Sequence, residues 1–365
     1  MKVRDVAEMV EQIASPRWAA EWDNVGLLAG DASAEVTNVL LCVDVTAAVL
    51  EEAKAREAEL IVAHHPILFK PAAAITAQRT PIVHEAIRAG ISLYAAHTNF
   101  DAAPGGTNDV IMSAAGVTST RPIQPARLVG ASKIVVFTPA SDLVAVRSAA
   151  WQAGAGRIGG GYDHCSFAVE GEGTFRPLEG SNPTLGRQGR HEHVREHRLE
   201  LITPSSRLPA VLAAVREAHS YEEPAIDVFS LEDVPAGVGD GRIGELTQPT
   251  VGRAVIESVK EAFGVDAVRL CGPDVEREVT RVACCAGAGR SLLSEAARAG
   301  AELFITGEIG HHDAIDAPGR MTIACLGHGA SERPAMATLR DTLAGLTSEV
   351  RFHLADSPAE PFRTG

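Results

Sequence analysis

The sequence predicts two related α/β halves forming one discontinuous domain, with a smaller α+β domain of ferredoxin-like plan inserted between them. Three observations carry this expectation. Up to about residue 120, apolar strand-like runs alternate with amphipathic helix-like ones. A segment near the C-terminus aligns with the first without a gap, and the texture between the two changes to βαββαβ. The expected boundaries are 1–125 for the first half, 126–235 for the insert and 236–365 for the second half. At roughly 150 residues per domain, a chain of 365 residues fits two.

In chain order, NVLLCVDV reads as a strand, TAAVLEEAKAREA as a helix, ELIVAHHP as a strand, IVHEAIRAG as a helix and ISLYAAH as a strand. Such βαβαβ units wind into a mostly parallel sheet, and ligands gather beyond the carboxyl ends of its strands. In the insert, SKIVVFTP, CSFAVEGEGTFRP, EHVREHRLELITP and PAIDVFSLE read as strands, and SDLVAVRSAAWQA and SRLPAVLAAVREAH as helices. In the second half, Val282–Glu308 repeats Val39–His65. Cys285 falls on Cys42, Glu295-Ala296 on Glu52-Ala53, and Ala301-Glu302-Leu303 on Ala58-Glu59-Leu60. The match resumes with Cys325–Glu332 lying over Tyr94–Asp101, which sets His328 on His97 and Glu332 on Asp101.

Composition narrows the function classes. With 33 Lys plus Arg against 47 Asp plus Glu, the formal charge of −14 leaves no broad basic surface for a phosphate backbone, so nucleic acid is not the expected partner. No run approaches the ~20 apolar residues that a membrane span needs. The N-terminal MKVRDVAEMVEQIASPRW sets acidic residues inside its apolar periodicity, unlike a secretory leader, and a cytoplasmic protein is expected. The six cysteines never form CxxC and are expected to be reduced core residues.

The chemistry concentrates at strand ends. His64-His65-Pro66 closes one apolar strand, and Pro66 marks its end, so that both imidazoles can reach one cleft. Adjacent histidines are suited to take one metal each. His97-x-x-x-Asp101 and His328-x-x-x-Glu332 follow two further strands. The spacing would align side chains on a helix, but the glycines and Pro104 after the first, and Ser331 as an N-cap before Pro334 in the second, point to strand-end loops. A carboxylate can bridge two cations ~3.5–4 Å apart, and such a set leaves coordination positions open, as catalytic sites require. The literal GxGxxG at Gly154–Gly159 follows a helical pattern, where a dinucleotide fingerprint must leave a strand. Gly287-Ala288-Gly289 lacks the P-loop Lys-Ser/Thr, and His191–His197 reads as a solvated strand of the insert.

WDNVGLLAG (Trp22–Gly30), VAHHPILF (Val62–Phe69), AAHTNFDAAPGGTND (Ala95–Asp109), HSYEEPAIDVF (His219–Phe229), TGEIGHHDAIDA (Thr306–Ala317) and GHGASERP (Gly327–Pro334) together resemble the Nif-three-like dinuclear metal-centre family, catalogued as GTP cyclohydrolase I type 2-like. The resemblance spans nearly the whole chain. It implies metal ligands at His64, His65, Asp101, His328 and Glu332, holding two divalent ions: zinc first, with manganese or iron as alternatives. His97 is a neighbour of the site in that family, whereas the internal repeat makes it the equivalent of His328; a proton-carrying catalytic role is assigned to it. Glu308, His312 and Asn24 are the candidate substrate-pocket residues. The insert is similar to domains of the PII-signal and divalent-cation-tolerance type, which implies a homo-oligomer, commonly a hexamer. The implied activity is hydrolysis of a purine nucleotide with formate release. The alternative is a non-catalytic, metal-responsive regulatory or metallochaperone oligomer.

Overall fold

The computed structural model describes residues 1–126, 128–158, 161–233, 235–317, 319–357 and 361; Gly159, the last glycine of the literal GxGxxG, lies outside them. The chain divides into two compact units, Met1–Ala126 with Pro235–Gly365, and Arg127–Val234. The larger unit has a mixed α/β fold. Its short strands Asn38–Cys42, Leu60–Ala63 and Ser92–Ala95 are buried along their whole length, as near-continuous apolar runs at the centre of a parallel sheet must be. Thr46 begins the intervening helix Ala47–Ala55 by accepting from the Val49 amide, which satisfies an orphan donor of its first turn.

Among the described residues this sheet has five strands, in the order Gly26–Ala29, Ser92–Ala95, Leu60–Ala63, Asn38–Cys42, Arg351–Leu354. The second sheet has six, in the order Arg269–Cys271, Thr322–Cys325, Leu303–Glu308, Glu278–Ala288, Arg242–Val251, Thr120–Arg121. In each, three consecutive parallel strands are flanked by an antiparallel edge, Gly26–Ala29 against Ser92–Ala95 and Arg269–Cys271 against Thr322–Cys325. Strands paired by the sequence repeat therefore occupy equivalent places.

The halves also exchange elements. Arg351–Leu354 completes the first sheet and Thr120–Arg121 the second. The core on the first sheet (Leu41, Val62, Tyr94) takes Ala335, Met336, Leu339 and Leu343 from the helix His328–Leu346. The core on the second (Val282, Cys284, Leu303) takes Ile111 and Met112 from the helix Thr107–Ala114. Among the described residues, no helix is long and apolar enough to cross a membrane. The six cysteines are free; Cys42, Cys284 and Cys325 are buried.

The smaller unit runs Leu128–Pro139, Leu143–Gln152, Phe167–Phe175, Glu192–Pro204, Leu208–Ala218, Ile226–Asp233 as strand, helix, strand, strand, helix, strand. Its sheet is antiparallel throughout, in the order last, first, third, second. Alternate residues Ile134, Val136, Leu199 and Leu201 pack against Val146, Ala150, Val211 and Val215 of the two helices.

Arg242 locks the exchanged halves of the larger unit. Only 1% exposed, its guanidinium pairs with Asp109 at 3.0 Å and donates to the carbonyls of Gly239, Gly241, Ala102 and Ala103. Removing it takes the cationic partner from Asp109 and a donor from each of four carbonyl oxygens. Arg242→Met is expected to lower unfolding free energy by about 3 kcal/mol or more in urea titrations, whereas Arg253→Met, which breaks an exposed pair with Glu276, should leave the urea midpoint nearly unchanged.

Candidate metal centre

The strand Leu60–Ala63 ends in two histidines still held by the neighbouring strand's line of carbonyls. The His64 amide donates to Cys42 O and the His65 amide to Val43 O, before Pro66 turns the chain away. His64 is fully buried and its Nδ1 lies 2.9 Å from Ala96 O. A carbonyl only accepts, so the proton sits on Nδ1 and Nε2 keeps its lone pair. Carboxylates stand behind three further rings. His65 Nδ1 donates to Asp44 at 2.9 Å, His97 Nδ1 to Asp23 at 2.8 Å and His328 Nδ1 to Glu308 at 3.1 Å. Four rings are thereby oriented by oxygen acceptors behind them, the arrangement that fixes tautomer and direction in metal-ligating histidines.

The Nε2 sides converge on Glu332. Its Oε1 lies 3.2 Å from His328 Nε2 and 3.7 Å from His64 Nε2, and its Oε2 lies 3.3 Å from His65 Nε2. Asp101 Oδ1 stands 3.5 Å from His64 Nε2 and accepts from the Thr107 hydroxyl. Asn108, buried, donates to Asp101 O and accepts from the Ala286 amide, joining that acid's helix to the second sheet. The potential ligand atoms of His64, His65 and His97 lie within 4.8 Å of one another, as do those of His65, His328 and Glu332. Either group could hold a metal ion, and His65 belongs to both. His64 Nε2 and Glu332 Oε2 are buried without a hydrogen bond.

The strand-end loops expected around the two His-x-x-x-acid motifs are instead helices. His97 is the N-cap of Thr98–Ala102, and His328 opens His328–Leu346. Pro104 and the glycines follow the first helix and end it; they do not prevent it. In the second, Gly327 at φ +103° turns the strand directly into the helix, so Ser331 lies within the first turns and not at the cap. Ser331 Oγ donates to His328 O and accepts from the Gly287 amide, and Pro334 is accommodated inside the helix. The four-residue spacing thus does stack His328 over Glu332, and Asp101 sits in the first turn of its helix, where the dipole favours negative charge.

Electrostatics follow from this crowding. Burial keeps His64 below the usual imidazole range and neutral. For His65 burial acts the same way, but the Asp44 and Glu332 carboxylates outweigh it and push it up to about 10. Glu332, Glu308 and limited burial leave His328 at about 9. Burial opposes ionisation of Glu332, yet the surrounding imidazoles hold its carboxyl well below the usual range. Two glycines make the crowding sterically feasible. A Cβ on Gly287 (φ +59°) would lie 2.5 Å from Glu332 Oε1, and one on Gly307 would lie 2.9 Å from His328 Cα.

The remaining candidates divide. Glu308 orients His328. Asn24 spends its side-chain amide on Leu68 O. His312 is exposed on the short helix His311–Asp316, its ring against His311 and not against the cluster. Sequence reasoning missed Asp23, Asp44 and Thr107. A signal existed for two of them in strand register: Cys42 pairs with Ala63, which sets Asp44 beside His65, and Gly26 pairs with Ala95, which brings Asp23 beside His97 and Thr98.

The model of the family described as Duf34/NIF3 (NGG1p interacting factor 3) matches residues 1–361. A Mycobacterium bovis protein named GTP cyclohydrolase 1 type 2 homolog is 39% identical over 344 residues, 92% of this chain and 89% of that one. A Bacillus subtilis protein of the same name is 36% identical over 316 residues, covering 86% and 84%. The crystal structure of a Bacillus cereus protein related to NIF3 superposes with a TM-score of 0.67 at 33% identity, covering 100% of this chain and 99% of that one. The chain therefore belongs to the Duf34/NIF3 family.

Proposed function

We propose that the chain is a metal-dependent hydrolase that binds two divalent ions, zinc first with manganese or iron as alternatives, through His64, His65, Asp101, His328 and Glu332. The observation that carries this reading is the convergence of the His64, His65 and His328 Nε2 atoms on the buried Glu332, at 3.7, 3.3 and 3.2 Å, with Asp101 3.5 Å from His64 Nε2, which is buried without a hydrogen bond. Buried polar atoms are costly unless something pairs with them, and imidazole nitrogen with carboxylate oxygen suits these cations. The ions would supply Lewis acidity, lowering the pKa of a water towards ~7.

The names of the relatives support a purine nucleotide as the small-molecule substrate; in the reaction we propose, one water opens the imidazole ring at C8 to a formamide and a second hydrolyses that formamide to formate and a free amine. His97 fits the proton carrier. Its Nδ1 is bound by Asp23, whose own pKa falls to about 2, burial being outweighed by His97 and Thr98; Nε2 is left to face the cluster. Glu308 keeps His328 in its tautomer. Although the chain is acidic, bound cations would offset that charge locally for an anionic substrate. The smaller unit's strand order fits the ferredoxin-like, PII-type plan, and with it we assign a cytoplasmic homohexamer with no nucleic-acid or membrane partner.

Two experiments test this. Elemental analysis of the purified chain should give two metal ions per subunit, and Glu332→Gln should lose at least one. With GTP, formate release should vanish in Asp101→Ala while gel filtration shows the oligomer intact; stoichiometric metal with no turnover of any nucleotide would favour the regulatory alternative. Asp23→Asn should lower kcat by roughly 10- to 100-fold with metal content unchanged, and wild-type kcat in that variant would remove His97 from proton transfer.

A further inference from the structure

At the rim of the metal centre two large aromatic side chains stand in solvent. Trp22 is 62% exposed and Phe69 46%, yet their rings lie against each other, centroids 5.7 Å apart and planes inclined by 52°. The indole meets the His97 ring edge-on at 6.1 Å, and His97 stands 5.2 Å from the His64 ring and 5.3 Å from that of His65. The aromatic pair is therefore one imidazole away from the cluster.

Its position is fixed on both sides. Asn24 donates its side-chain amide to Leu68 O, tying the Trp22 loop to the Phe69 loop. Asp23, between Trp22 and Asn24, accepts from His97 Nδ1, the Thr98 amide and the Thr98 hydroxyl. The Ala20 amide donates to the Thr98 hydroxyl oxygen and the Asp23 amide to Ala20 O. Rings so held lose little freedom when a ligand settles on them. Two of them offer far less than the ~800 Å² per partner that a stable protein interface buries, but the exposed indole face of Trp22, with the Phe69 ring inclined against it as a side wall, suits a single planar base.

We propose that Trp22 and Phe69 form the stacking platform for the heteroaromatic ring of the substrate, making the site prefer ligands that carry a planar base over bare phosphate chains. Asn24 is a positioning residue for that platform. The identity of the base rests on the nucleotide reading above; the platform itself is tested by binding.

Calorimetric titrations on the full-length, zinc-loaded chain would use guanosine, GTP and inorganic tripolyphosphate against wild type, Trp22→Ala, Phe69→Ala and Trp22→Phe. Expected is a loss of roughly 5- to 100-fold in guanosine and GTP affinity in both alanine variants, recovery in Trp22→Phe, and unchanged tripolyphosphate binding. Wild-type guanosine affinity in Trp22→Ala overturns the platform, as does an equal loss for tripolyphosphate, or no binding of guanosine and GTP to the wild type. Formate assays separate the two readings. Trp22-dependent guanosine binding without turnover keeps the platform and removes the hydrolase; turnover with an unchanged KM in Trp22→Ala does the reverse.

Discussion

A carboxylate buried among imidazoles governs the larger unit. Glu332 is 3% exposed, and its charge is met by His65 and His328, which come from a strand end of one half and a helix start of the other. A carboxylate taken out of water costs several kcal/mol unless it is paired. The two halves must therefore meet closely enough to bring these rings together. The exchanged strands and helices achieve this, with the Arg242 lock at one side and the Asn108 bridge beneath Asp101 at another.

The pairing also explains sequence features that carry no charge. Gly287 and Gly307 lie where the backbone passes Glu332 and His328 too closely for a side chain. Gly307 is the repeat partner of His64, and Glu308 that of His65. The first half thus contributes two imidazoles at its strand end, and the second contributes a gap and an acid that orients His328. At this pair of strand ends alone the halves differ in this way; the helices that follow supply an acid from each, Asp101 and Glu332.

Much of this was legible in the chain because short apolar runs ending in HHP, in His97 and in His328 mark strand ends, and strand ends in parallel sheets converge. The internal repeat makes His97 and His328 equivalent, and each follows a parallel strand and starts a helix. Helical geometry around the two His-x-x-x-acid motifs was obscured because Pro334 and the glycines read as breakers, whereas a positive-φ Gly327 and a Ser331 that bonds two backbone groups let a helix start there. Asp23 and Asp44 were invisible as orienting groups because their roles depend on register, which only strand pairing reveals.

The exchange of strands also bears on how the molecule is made. Arg351 lies beside Asn38 although 313 residues separate them in sequence. At roughly 5–20 residues per second, on the order of 15–60 s pass between synthesis of the two. Throughout that interval the emerging first sheet presents the unpaired backbone of Asn38–Cys42 as a sticky margin, open to pairing with another nascent chain. Closing so long a loop is entropically slow, so that margin stays open to other partners until Arg351–Leu354 pairs with it.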